Sequence, residues 1–203
     1  ETQRIFYPMV QTRYFDVPDG RELDVDEDLL EVLSITNGGA SLASSEYNLV
    51  PRNYSPAYGV KITDVSSYAW TSNAAGSMEQ AIAVNGVWGY HDKYSQAWGD
   101  SITITEDLDT SETAVDVSSL TVFSAGHIIR IDNELMLITG VASSITVVRG
   151  WNGSTAATHT NGTSIDIWHA MHGAKQACLE IAQATYHRRF GKSLSNTETG
   201  PPA

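Results

Sequence analysis

The chain lacks most of what would point to a secreted, membrane-bound or nucleic-acid-binding protein. Its one cysteine, Cys178, leaves no partner for an intrachain disulfide. That cysteine falls on the apolar side of a helical pattern, where a thiol acts as a small hydrophobe. A fold not built on disulfides fits a reducing compartment. No apolar run approaches the ~20 residues of a membrane-spanning helix, and no charged-then-apolar leader opens the sequence. The first residue is Glu1 and not Met, so the genetic N-terminus is expected outside this numbering.

Basic residues are scarce. There are 12 Lys and Arg against 24 Asp and Glu, for a formal charge of −12. Residues 1–168 hold 22 acids and 8 bases, a balance of −14, while residues 169–203 hold 2 acids and 4 bases, a balance of +2. An acidic body disfavours tight binding to phosphate backbones, which needs clustered cations. By itself the acidity reads as solubility.

Catalytic and cofactor signatures are also missing. No nucleophile elbow, Walker loop, dinucleotide fingerprint or HExxH occurs. Asp24, Asp26 and Asp28 have the spacing of a calcium loop, but Leu29 and Ile35 stand where Gly and Glu are required. An acidic turn between two strands is the expectation there. His169 and His172 are three apart near the start of the last helix, with no further metal ligand identifiable, and read as helix-start residues. Arg149, His159 and several hydroxyls share a segment without forming a Ser-His-Asp arrangement. The Asn-x-Ser/Thr patterns at Asn53, Asn152 and Asn161 read as turns. The expectation is no enzyme, no cofactor and no metal.

What is present is apolar alternation and one helix. Hydrophobic residues make up 41% of the chain, enough for a core. Short strands are predicted at Arg13–Phe15, Leu23–Val25, Leu30–Thr36, Ala40–Ala43, Tyr47–Val50, Val60–Thr63 and Ala81–Val84. Turns are predicted at Val17–Gly20, Asn37–Gly39 and Asn85-Gly86, with a proline-pinned loop at Pro51–Pro56. Residues 91–100 read as a linker. From 101 to 168, paired apolar residues alternate with polar ones at Ile102/Ile104, Val115/Val117, Ile129/Ile131, Leu135/Leu137, Ile145/Val147 and Ile165/Ile167, with turns at Asp132–Glu134 and Ala142–Ser144. Trp168–Gly191 reads as the one long helix. Its apolar surface runs through Ala174, Cys178, Ile181, Ala182 and Tyr186, extended by Leu179 and Phe190. Gln176, Glu180, Gln183 and His187 form a polar stripe, and Arg188, Arg189 and Lys192 lie at or just past the last turn.

The predicted class is α+β, mainly β. It is an antiparallel β meander with an inserted small β-barrel or sandwich module and one long C-terminal α-helix. The core comprises 1–90 plus 169–191, the linker 91–100, the inserted domain 101–168 and a flexible tail 192–203.

Particular residues then resemble a family. Arg4-Ile5-Phe6-Tyr7-Pro8 with Thr12–Asp16, Asp26–Val32 with Ser34–Thr36, Tyr47–Asn53 with Pro56, Val84–Tyr90, and Ala174–Ala182 with Tyr186–Phe190 are similar, in that order, to segments of tailed-bacteriophage head–tail connector (adaptor, head completion) proteins. Phe123–Gly126, Ile131–Glu134 and Arg149–Ala157 with His159 and Gly162 resemble a β module of phage connector and tail proteins. The helical region that usually precedes the Phe-Tyr segment is absent from the numbered chain.

The resemblance implies a structural virion protein at the neck, assembled in the host cytoplasm as a homo-oligomeric ring, a dodecamer. It would lie between the portal and a stopper or tail-terminator protein, with DNA passing through unbound and no membrane involved. Arg188, Arg189, Phe190, Lys192 and Leu194 are the candidate portal contact. Phe6, Tyr7, Trp88, Tyr90 and Tyr186 are candidate core or subunit-contact aromatics. The alternative is a tail or baseplate protein binding carbohydrate or a receptor through exposed Trp70, Trp98 and Trp151.

Overall fold

A computed structural model describes residues 4–190. Two antiparallel sheets are followed by one helix. The first sheet contains β1 (Met9–Phe15), β2 (Glu22–Asn37), β3 (Ala40–Leu42), β4 (Tyr47–Val50), β5 (Ala57–Ile62) and β6 (Ile82–Trp88). Its order is β1-β6-β2-β5-β4, with β3 also paired to β2. The second contains β7 (Trp98–Thr103), β8 (Ala114–Val115), β9 (Ile128–Ile131), β10 (Glu134–Val141), β11 (Ile145–Val148) and β12 (Ser164–Trp168), in the order β7-β12-β9-β10-β11-β8. Helix α1 spans His172–Phe190.

Alternation sets which side chains face inward. In β2, Leu23 and Val25 are buried while Glu22, Asp24 and Asp26 point to solvent. They join Leu29, Ile35, Val60, Ile62, Ile82 and Trp88 in the first core. In the second sheet Ile129, Ile131, Met136, Ile138, Ile145, Val147, Ile165 and Ile167 build a separate core around Phe123. Each fully buried side chain of this size contributes roughly 1.5–3 kcal/mol of transfer free energy.

Several local expectations are corrected. The two predicted strands 23–25 and 30–36 are one strand, β2, and the acidic run Asp24–Asp28 lies inside it and is not a turn between strands. Register shifts against β5 and β6 accommodate this length. Asn85-Gly86 does not turn the chain. Both residues sit inside β6, paired with β1 on one side and β2 on the other. Glycine is needed at 86 for close approach, because a Cβ would lie 2.5 Å from the Glu31 carbonyl oxygen and 2.9 Å from Leu29 Cδ1. Residues 91–100 are not a free linker: His91 and Ala97 are buried and Trp98 already begins β7. The helix starts four residues later than predicted because Trp168 completes β12, opposite Trp98.

The six strands of the second sheet do not form a closed sheet. Beyond its edges, Thr105 N–H donates to the Asp116 carbonyl and Ser118 N–H to that of Thr103, both at 2.9 Å.

A third cluster joins the two sheets. Leu30 and Val87 from the first meet Ala97 and Trp168 from the second. Trp168 packs edge-on against Trp98 at 5.0 Å and against His91 at 5.4 Å. Arg130 of β9 lies over the Trp98 ring at 4.5 Å and bonds Glu31 of β2 at 3.2 Å. Glu31 also accepts the Tyr94 hydroxyl at 2.5 Å. Asn152 donates to the Pro8 carbonyl ahead of β1 at 2.9 Å. At Gly153, with φ at +83°, any Cβ would collide with the Val10 carbonyl. The second sheet is therefore fastened to the first by apolar packing, a charged bridge and a loop contact.

Candidate functional site

Three arrangements gather the chemistry of the molecule: a buried polar knot, an acidic strand and the helix.

The knot centres on Glu134, the first residue of β10, which is 1% exposed. Its predicted place in an exposed turn is corrected: only Asp132 and Asn133 turn the chain, and Glu134 faces inward in phase with Met136 and Ile138. One carboxylate oxygen accepts Arg149 Nε at 2.7 Å and Gly150 N–H at 3.0 Å. The other accepts Arg149 Nη2 and Ala157 N–H, and meets His159 Nε2, each at 2.9 Å. His159 Nδ1 lies 2.8 Å from the Asp132 carboxylate. Arg149 also donates to the carbonyls of Asp109, Glu112 and Ala157 at 2.6–2.9 Å. Burial opposes ionisation of Glu134, but the bonds from Arg149, Ala157, His159 and Gly150 together outweigh it and hold its carboxyl at about 2.

Every oxygen lone pair of that carboxylate is engaged, so it has none to offer a metal or a transferring proton. Ser154 Oγ is committed to the backbone of Leu135 and Trp151. The knot ties loops 105–113 and 149–159 to β10, and this is a fastening task. It borders a polar cleft of about 510 Å³ between the sheets, faced by Gln11, Ser34, Asn85 and Asp132. Among the described residues no group of three or more His, Cys, Asp and Glu is arranged to hold a metal ion.

The acidic strand is β2, which carries six acids and no base. Asp28 pairs with Arg4, Glu27 with Arg13, and Glu31 with Arg130. Glu22, Asp24 and Asp26 have no cation at ion-pair distance among the described residues.

Helix α1 stands apart from both cores. Lys175 to Arg189 are exposed without a break, and Leu179, Ile181 and Tyr186 are 66%, 67% and 62% exposed. The apolar surface and polar stripe read from the sequence both face solvent. At 1.5 Å per residue, 19 residues extend about 28 Å. His187, Arg188 and Arg189 occupy the last turn, where cations complement the helix dipole. No helix of the described residues is long and apolar enough to cross a membrane.

The expected site residues do not converge. Trp88 is a core residue, 1% exposed, with its indole N–H on the Gln11 carbonyl and Arg13 stacked over it at 4.0 Å. Phe6 packs edge-on against Tyr90, whose ring also carries Arg4 at 4.3 Å. Tyr7 is 46% exposed and Tyr186 is 62% exposed. Arg188, Arg189 and Phe190 end α1, whereas Lys192 and Leu194 lie outside the described residues, as does the tail 192–203. The three tryptophans proposed for carbohydrate stacking share no exposed face. Trp70 is buried at 7% with its N–H on the Arg21 carbonyl, Trp98 lies beneath Arg130, and Trp151 is half-buried over a turn.

Sequence reading missed the Glu134 hub. Its signal was the phase it shares with Met136 and Ile138. Comparison with family models, curated proteins and solved structures finds no match to this chain.

Proposed function

We propose that the chain is a structural subunit of a tailed-phage head–tail connector, assembling as a ring between the portal and the tail-side proteins, with no catalytic role. The observation that carries this reading is α1: a 19-residue helix with Leu179, Ile181 and Tyr186 exposed and neither described core packed over them. Burying such a surface is worth ~25 cal/mol per Å² of apolar area, and in a single copy that stabilisation is not realised. An assembly of copies around a common axis supplies the missing surface.

Two further features support the reading. The acidic body suits a channel through which DNA slides, since carboxylates repel phosphates where lysine-rich walls would hold them. The buried carboxylate of Glu134 is fully engaged in fastening loops. The inserted region is read here as a small barrel decorating the ring, because the Thr105–Asp116 and Ser118–Thr103 bonds link the ends of its open sheet.

The test is location. An antibody against the chain, applied to intact virions of the producing phage, is expected to label the neck. Labelling at the tail tip, or none on disrupted virions that expose the neck, contradicts the connector reading.

A further inference from the structure

We propose that the polar cleft between the two sheets is a binding site for a neutral carbohydrate. The site stands whether or not the chain builds a ring.

The cleft, of about 510 Å³, falls in the size range of small-molecule sites. One wall is the outer face of the first sheet. Thr12 of β1, Asn85 of β6 and Ser34 of β2 are direct cross-strand partners, so their side chains stand in one row. Two inter-strand spacings make that row roughly 10 Å long. Among the described residues, none of these three side chains hydrogen-bonds another protein group. The next row on the same face holds Tyr14, 62% exposed, opposite Ala83.

The other wall is the turn Asp132-Asn133. Asp132 takes the left-handed backbone, with φ at +52°, and its side chain is 64% exposed. Despite that exposure it is held. The His159 side chain, 1% exposed, is pinned at Nε2 by Glu134 and meets one Asp132 oxygen at 2.8 Å through Nδ1. A buried imidazole, backed by a buried carboxylate, thus leaves the second Asp132 oxygen at a fixed place on the cleft wall. Fastening the loops does not require this, because Arg149 and the Gly150 and Ala157 amides already tie them to Glu134. An exposed carboxylate set by buried partners is preorganised for a ligand.

The lining selects the chemistry of that ligand. No Lys or Arg lines the cleft, so phosphates and other anions meet only carboxylates. A hard cation needs several oxygen ligands, yet Glu134 is fully engaged and Asp132 half engaged. What remains is a set of hydroxyls, side-chain amides and one carboxylate oxygen, which together both donate and accept. Sugar hydroxyls do both as well. Val10 and Leu33 add apolar surface for the C–H face of a ring, and Tyr14 offers an aromatic face one row away.

The experiment is a titration of the full chain, followed by amide NMR, with cellotriose, maltotriose and chitotriose at millimolar concentration. At least one sugar is expected to shift the amides of Ser34, Asn85, Asn133 and Thr155 in a saturable way. Asp132→Asn removes the charge but keeps a residue that tolerates the left-handed backbone. It is expected to weaken that binding roughly tenfold or more. Thr12→Ala with Ser34→Ala changes only exposed side chains and is expected to weaken binding by a similar factor, so the test holds even if the Asp132 variant loosens its loop. No saturable shift with any of the three sugars overturns the proposal. So does binding that moves amides elsewhere, or binding by both variants at wild-type strength. Calcium chloride or inorganic phosphate saturating the same amides in place of a sugar assigns the cleft to an ion, and also overturns it.

Discussion

The second sheet buries a carboxylate and satisfies it with five N–H and ring-nitrogen bonds, while the terminal helix carries Leu179, Ile181 and Tyr186 into solvent. Both regions have a high cost if left unfinished. A buried charge without partners is strongly destabilising, and an exposed apolar surface of this extent marks an interaction site or an aggregation hazard. The first is completed inside one copy, by Arg149, His159 and two backbone N–H groups. The second stays exposed among the described residues of one copy. The contrast separates what the chain needs in order to fold from a surface that the described residues leave open, which the proposed assembly would cover.

Removing the hub tests the folded half of that contrast most severely. Glu134→Ala leaves Arg149, His159 and the Gly150 and Ala157 amides without their acceptor, and is expected to cost ~3–5 kcal/mol in urea unfolding of the full chain. A change no larger than that of an exposed substitution would mean that the knot is incidental. Acid probes the same carboxylate without mutation. Its folded value lies at about 2, below the ordinary 4.5, so its contribution is complete above pH 4.5 and is lost as pH falls toward 2. Urea midpoints measured across that window should fall for the wild type, and Glu134→Gln should flatten the fall.

In the first sheet, Gly86→Ala forces a Cβ against the Glu31 carbonyl. It is expected to cost ~1–3 kcal/mol by the same unfolding assay. The smallest effect is predicted on the helix. Leu179→Ala should leave the stability of the isolated chain within ~0.5 kcal/mol of wild type. A loss as large as that expected for Glu134 would show that α1 packs on its own body, and the contrast would collapse.

Much of this architecture was readable from residue patterns. The paired apolar residues from Ile102 to Ile167 announced a second β region, and the period of three and four from Ala174 to Tyr186 announced the helix. The failures share a physical origin. Asn85-Gly86 has turn chemistry, but here the glycine serves close strand packing, which only a third strand reveals. The acidic run 24–28 looked like a break because a strand crowded with carboxylates is locally unfavourable. Buried Leu23, Val25 and Leu29 override that preference and hold it in the sheet. Residues 91–99 lack a period because His91, Tyr94, Ala97 and Trp98 turn into the seam between sheets while Asp92, Lys93, Ser95 and Gln96 face solvent, a spacing that fits neither a helix nor a strand. At the site, the bonds converging on Glu134 come from Arg149, Gly150, Ala157 and His159, which sequence spacing does not bring together with it.

Amide hydrogen exchange along α1, measured on the isolated chain and on the assembled particle, tests the central claim most directly. The account predicts fast exchange from Ala177 to Arg188 in the isolated chain, approaching that of an unsupported helix, and strong protection of the same amides in the assembly. Equal protection in the two states would contradict it.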